Sequence, residues 1–338
     1  MKNDTILLDH GSGGLASGEL IRDIFLSRLG NPVLGQLEDS AIIETDRGRL
    51  AFSTDSYVVD PLFFPGGDIG LLAVHGTIND LAMRGARPLC LSLAMILEEG
   101  LPLDDLQRIV ASIDNACRES GVPVVTGDTK VVQKGKGDKV FINTSGIGLV
   151  DEGLDISARM ARPGDAVILS GSMGDHGITI LGQRAGISLF GNLRSDTRAL
   201  HRLVQKLLAT VPGGAVHTLR DPTRGGVATS LNEIAAAAGV AIELDEDCIP
   251  VTPQVAAACE ILGMDPLYLA NEGKCLAVVD GTHGAAALAA MHGMPEGRDA
   301  RIIGRVTESP PGQVVLHTAA GGARIVRSLT GEPLPRIC

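Results

Sequence analysis

A chain of 338 residues has room for two domains, each with its own core. Its net charge of −11, without any run of Lys or Arg, argues against a nucleic-acid or anionic-membrane partner, so an anionic substrate needs a local cation. With 44% hydrophobic and 20% charged residues it reads as globular; no stretch reaches the roughly 18 apolar residues of a membrane span, and the start "MKNDTILLDHGSGG" lacks an apolar leader core, which together predict a cytoplasmic protein.

Residues 41–59, "AIIETDRGRLAFSTDSYVV", predict two strands around a turn at Asp46, Arg47 and Gly48. "IGLLAVHGTINDLAMRGARP" has helical spacing and stops at Gly85 with Pro88 beyond. The buried strand "LCLSLAMIL", an amphipathic helix ending at Gly121, and the strands "VPVVTGD" and "KVFINTSGIGLV" follow. "ARPGDAVILSGSMGDHG" restarts the pattern, with helices expected around 196–210, 226–238 and 252–263 and strands around 301–307, 313–317 and 323–327. Strands mixed with helices and hairpins predict an α+β protein of two mixed α/β domains, residues 1–155 and 156–328. The remainder, 329–338, lies in "SLTGEPLPRIC", whose two prolines and glycine without periodicity predict a flexible tail.

Five of the six cysteines lie in apolar patterns and read as small buried hydrophobes, whereas Cys338 stands apart on that tail. Acids fall at turns and strand ends: Asp39 in "LEDSA", Asp55 in "STDSY", Asp80 in "TINDLA" and Asp128 in "TGDTK". Hard oxygen ligands of this kind suit Mg²⁺, although each taken singly is equally a cap or turn residue. Asn79 and Asp80 are poor helix formers inside a helical pattern, which calls for a metal or nucleotide contact or for a buried hydrogen bond. Asp128 and Lys130, two apart on a strand, share a face and offer either a nucleotide-phosphate site or a surface ion pair. "HGSGG" at 10–14 and "DPTRGG" at 221–226 precede helical patterns and could cradle an anion or simply turn the chain. Glu272, between Asn271 and Gly273 and near Lys274, is a turn acid or a tuned general base.

In their order, "LEDSA", "STDSYVVDPLFFPGGDIG", "GTINDLAMRGARP", "TGDTKVV", "GDAVILSG", "DPTRGGV", "LANEGK" and "PRIC" make the chain resemble, over essentially its whole length, the HypE family of hydrogenase maturation carbamoyl dehydratases. The middle motifs alone indicate the wider superfamily of aminoimidazole ribonucleotide synthetase, selenophosphate synthetase and thiamine-monophosphate kinase; "GDTKVV" and "PRIC" narrow it.

The resemblance implies an ATP-binding N-terminal domain, a second α/β domain, and a homodimer whose N-terminal strands form a shared barrel. It implies that a carbamoyltransferase, HypF, loads a carbamoyl group onto Cys338, and that ATP drives its dehydration to a thiocyanate. The cyanide then passes to iron on a HypC–HypD scaffold for the [NiFe] hydrogenase. It assigns nucleotide contacts to Asp39, Asp55, Asn79, Asp80, Gly127, Asp128, Lys130 and Asp221, with Mg²⁺ on Asp55, Asp80 and Asp128. Cys338 becomes a tethered substrate, Glu272 the base that takes an amide proton, and Lys130 or Lys134 an aid to phosphate binding or proton relay. Two other readings compete: another ATP-dependent kinase or synthetase of the superfamily, or a non-catalytic carrier of the cysteine.

Overall fold

The computed structural model describes residues 5–186, 193–331 and 336–338; residues 332–335 of the expected tail lie outside the described residues. Short helices α1 (Leu15–Leu20) and α2 (Ser27–Leu29) precede the first sheet. Its strands are β1 (Ala41–Thr45), β2 (Gly48–Tyr57), β5 (Arg87–Glu98), β6 (Val124–Val132) and β7 (Val140–Val150), in the order β1-β2-β7-β5-β6. The β5–β6 pair is parallel and the others antiparallel. A two-stranded ribbon, β3 (Phe63–Phe64) and β4 (Gly67–Asp68), leads into α3 (Ile69–Met83), and α4 (Leu103–Ser120) joins β5 to β6.

The alternation of β2 explains the layering. Ala51, Ser53 and Tyr57 are buried and face α3, while Phe52, Thr54 and Ser56 are exposed on the other face. Exposed Ile43, Ile96, Ile147 and Leu149 lie in the same pleat as Phe52, so helices cover this sheet on one side only. Among the described residues no closed barrel forms.

Helix α3 is apolar nearly all round, with thirteen of its fifteen residues buried, as a helix enclosed by protein must be. Asp68 caps it, accepting from the N–H groups of Gly70 and Leu71 at 2.8 and 3.0 Å. One side of α3 covers the first sheet. The other joins the second half, where Ala82 and Met83 pack with Leu200, Leu203, Leu207 and Leu219.

The second sheet has seven strands: β8 (Ala166–Leu169), β9 (Val216–Arg220), β10 (Ala241–Asp245), β11 (Leu276–Val279), β12 (Arg301–Thr307), β13 (Val314–His317) and β14 (Ala323–Val326). Their order is β14-β13-β10-β12-β8-β11-β9, parallel only between β10 and β13. Helices α5 (Asp175–Ala185), α6 (His201–Thr210), α7 (Gly226–Ala238), α8 (Pro253–Leu262) and α9 (Gly284–His292) connect them. Both halves are therefore mixed α/β units. Among the described residues no helix is long and apolar enough to cross a membrane.

The helix expected over 196–210 begins only at His201. Residues 196–200 are held by contacts outside the segment: Asn79 binds the carbonyl of Arg198 and the N–H of Leu200, and the Asp196 side chain binds the Glu272 N–H. Those bonds hold the segment in an irregular path beside the seam between the halves, and the helix starts only after it. Of the cysteines expected inside, Cys259 and Cys275 are buried, while Cys90, Cys117 and Cys248 are half-buried.

Candidate active site

Four of the acids picked out by sequence converge on one cavity of about 260 Å³ at the seam. Asp55 comes from β2, Asp80 from α3, Asp39 from the segment before β1, and Asp221 from the end of β9. The glycine-rich loops close its rim. Gly13 of "HGSGG" meets Arg224 of "DPTRGG" so closely that a Cβ there would lie 2.9 Å from the Arg224 Cβ, and Arg224 donates to the Gly11 carbonyl at 3.3 Å. Ser53 donates to Asp80 at 2.6 Å, and Arg220 reaches from the second half to Asp39 at 3.1 Å.

Burial is the first cause that raises the pKa of Asp39, Asp55, Asp80 and Asp221, and repulsion from neighbouring acids adds to it for Asp39, Asp80 and Asp221. Asp80, for example, faces Asp221, Asp55 and Asp39, and Asp221 is raised to about 6. Oδ2 of Asp39 is buried without a hydrogen-bond partner. Desolvated, repelling carboxylates with an orphaned oxygen fit a hard divalent cation. Among the described residues no three such groups stand close enough to enclose one alone. That suits Mg²⁺, which retains waters and shares its coordination with phosphate oxygens.

Glu272 sits in a buried turn beside this cavity, 4% exposed, with Oε1 unpartnered. Burial, then the charges of Asp221, Asp196 and Asp55, hold its carboxyl well above the usual range, against the pull of Arg224. The turn is fixed from several sides. Asp196 accepts from the Glu272 N–H at 3.1 Å and from Lys274 Nζ at 2.9 Å, and Asn271 accepts from the Gly174 N–H at 2.8 Å. A side chain at Gly273 would meet the Asp196 carbonyl at 1.8 Å, so only glycine fits. Asn79 points across the seam to the Glu272 carbonyl at 3.5 Å, which makes it a buried hydrogen-bonding strut.

The last residues of the chain are docked. Ile337 is 3% exposed in the core that α3, α5 and α8 share with β2. Its carbonyl accepts from His176 Nε2 at 2.8 Å, and the Cys338 carboxylate accepts from the Val58 N–H at 2.9 Å. Val58 follows Asp55 by three residues, roughly 10 Å along extended chain, so the Cys338 backbone lies that close to a cavity acid.

Asp128 and Lys130 do not join this group within the chain. Asp128 aligns with Ala94, Asn143 and Ser56 on the uncovered face, three strands from β2 or about 14 Å. It pairs there with Lys130 at 2.7 Å, both side chains more than 60% exposed. Gly127 lies beside the Leu93 carbonyl, where a Cβ would come within 2.3 Å, and Lys134 is in the exposed β6–β7 turn. Sequence reading missed Asp196, His176, Arg184, Arg220 and Arg224. The available signal was charge in otherwise buried surroundings, as in "SGSMGDHGITIL" and "TLRDPTRGG".

Residues 37–150 match the N-terminal domain of AIR synthase related proteins, and residues 162–317 match their C-terminal domain. Carbamoyl dehydratase HypE of Cupriavidus necator is 55% identical, over 100% of this chain and 96% of its own. A crystal structure of hydrogenase maturation protein HypE in complex with ATP is 53% identical with a TM-score of 0.83, covering 99% of this chain and 100% of that one. A crystal structure of a HypE–HypF complex is similar at 46% identity and a TM-score of 0.87, covering 92% and 99%. With the two-domain fold, the acid cavity at the seam and the docked cysteine all in place, the chain belongs to the HypE family, the ATP-dependent carbamoyl dehydratases of hydrogenase maturation.

Proposed function

We propose that this protein converts an S-carbamoyl group on Cys338 to a thiocyanate at the expense of ATP, supplying cyanide ligands for the iron of a [NiFe] hydrogenase. The observation that carries the reading is on β2 and the residues after it: Asp55 faces the acid cavity, and three residues on, the Val58 N–H donates to the Cys338 carboxylate. One continuous stretch thus brings a phosphate-handling pocket and the reacting terminus together.

An amide oxygen leaves poorly, so it must be activated. The carbamoyl oxygen attacks the γ-phosphorus of ATP, the bond from that phosphorus to ADP breaks, and Glu272 takes one N–H proton. Loss of the second N–H proton closes the C≡N bond and expels phosphate. The sum is thiocarbamate plus ATP giving thiocyanate, ADP, hydrogen phosphate and a proton. Asp39, Asp55, Asp80 and Asp221 would hold Mg²⁺ together with the phosphates, and the ion would supply charge neutralisation there. Arg224 counters the remaining negative charge, and its contact with Gly11 closes the "HGSGG" loop over the cavity against water.

The uncovered apolar face of the first sheet supports a homodimer with a shared barrel, in which Asp128 and Lys130 serve the cavity of the second copy. The units are residues 1–155 and 156–328. The tail, 329–338, moves between the docked position and HypF, which loads it in the cytoplasm, and the HypC–HypD scaffold accepts the cyanide. The test is intact-mass measurement after incubation with HypF, its carbamoyl donor and ATP, then with fresh ATP. A carbamoyl adduct followed by ATP-dependent loss of one water is expected. Retention of the full adduct in the presence of ATP would end the dehydratase reading.

A further inference from the structure

The dock for the last three residues is a recognition site in its own right. Two backbone carbonyls and the Cys338 carboxylate are read in succession. The Arg336 carbonyl accepts from the Asp60 N–H at 3.3 Å and from Arg184, that of Ile337 from His176, and the Cys338 carboxylate from the Val58 N–H. Because a carbonyl only accepts, His176 carries its proton on Nε2, and Nδ1 accepts from the Ser195 hydroxyl at 2.8 Å, which in turn accepts from the Thr197 N–H at 3.2 Å. Burial holds this imidazole in its neutral form by lowering its pKa.

Two side chains of the tail are read as well. Ile337 is enclosed by core residues of both halves, and Arg336 pairs with Asp138 while donating to the Val58 carbonyl at 2.9 Å. Arg336 adopts a φ of 54°, a left-handed turn uncommon outside glycine, which the surrounding bonds fix. The groups that make this dock come from the segment after β2, the β6–β7 turn and α5. The tail's root is held separately: Leu329 bonds to Leu15 N–H at 2.9 Å and to Thr229 at 3.3 Å.

We propose that the covalent tether is dispensable, and that the protein dehydrates free peptides ending in Arg-Ile-(S-carbamoyl)Cys, with His176 and Arg184 as positioning residues and the Ile side chain as the specificity anchor. This rests on the dehydratase reading above. The chemistry is the balanced reaction already given, with the peptide thiocarbamate in place of that on Cys338. The tether supplies roughly millimolar effective concentration, so a free peptide needs a comparable KM.

The full-length chain carrying Cys338→Ala and Ile337→Asp, whose own tail neither reacts nor fills the dock, is given ATP, Mg²⁺ and a short peptide ending in Arg-Ile-Cys that has been S-carbamoylated with cyanate. Peptide thiocyanate and phosphate should form in equal amounts, with a roughly millimolar KM. Replacing Ile in the peptide by Asp should lower kcat/KM by about tenfold or more, because the anchor is wholly buried. Adding His176→Ala to the chain should raise KM for the peptide while kcat changes much less. The same preparation must match the wild type in unfolding midpoint. If wild-type chain loaded on Cys338 dehydrates itself but the double variant turns over no peptide, the proposal is overturned while the dehydratase reading survives. Equal rates for the Ile and Asp peptides overturn the anchor. A loaded wild-type chain that fails to dehydrate itself defeats the underlying reading instead.

Discussion

Replacing Asp221 by Asn should make stability less sensitive to pH. Burial, the largest influence, and the charge of Asp55 lift Asp221 from the ordinary 3.8 to about 6, even though Arg220 pulls it down. An acid raised in this way contributes stability that is fully present below 3.8 and is lost as pH rises through 6. Roughly two pH units at about 1.4 kcal/mol each amount to ~3 kcal/mol that the wild type loses through this group between about pH 4 and pH 8, and the amide loses none of it. The assay is urea unfolding of both chains in EDTA across that range. Buried His75, lowered to about 4, and His176 gain the wild type some stability over the same interval, but they do so equally in both chains. The difference between the curves is therefore the measured quantity, and it should move in favour of Asp221→Asn by at least ~3 kcal/mol on going alkaline, because losing the Asp221 charge also relieves Asp39, Asp80 and Glu272. Adding Mg²⁺ should shrink the gap at high pH. A flat difference, or one that moves toward the wild type, would refute a desolvated and repelling acid cluster.

Glu272→Gln should permit loading of Cys338 yet stop dehydration, read by intact mass; normal dehydration would remove Glu272 from the base role. Since Glu272 is raised by burial and by its acidic neighbours, the rate for the loaded wild type should fall with decreasing pH well above the usual carboxylate range, which a pH–rate profile of single-turnover dehydration measures. Asp196→Asn leaves Lys274 charged and buried without its partner, and should cost about 3–5 kcal/mol in urea unfolding. Asn79→Leu strands the Leu200 N–H and the Arg198 carbonyl at the seam, at about 1–3 kcal/mol for each buried group, and should also slow dehydration by loosening the Glu272 turn.

The sequence made the elements and the two-unit plan legible because period and punctuation carry them. The helix predicted to start near Ile69 and stop before Gly85 spans Ile69–Met83, and the strands expected around 301–307 and 323–327 form β12 and β14. Asp55, Asp80 and Asp221 were legible for another reason. Acids at strand ends, and an Asn-Asp pair inside an apolar helix, break local preference, and such breaks need a partner brought by the fold.

What stayed hidden depends on contacts between distant segments. Asp196 looks like the start of a helix until Glu272 N–H and Lys274 are seen to claim its carboxylate from 76 and 78 residues away. His176 reads as one more residue of an apolar helix, because nothing local announces that the Ile337 carbonyl will arrive from 161 residues on. Asp128 presents the opposite case. Its spacing from Lys130 correctly places both on one strand face, but spacing does not say which face of the sheet the cavity occupies, and the register puts the pair on the uncovered one.

The same electrostatics that weaken the resting protein at alkaline pH also set the proton affinity of Glu272, the base proposed above. Glu272 is raised by its burial and then by the charges of Asp221, Asp196 and Asp55. Two of those three acids line the cavity, whereas Asp196 is already neutralised by Lys274. Cationic charge that settles among the cavity acids therefore removes the part of the repulsion on Glu272 that Lys274 does not, and makes its carboxylate easier to ionise. A cation among these acids thus lowers the proton affinity of Glu272 and raises the fraction present as carboxylate, whereas an empty cavity leaves that affinity high.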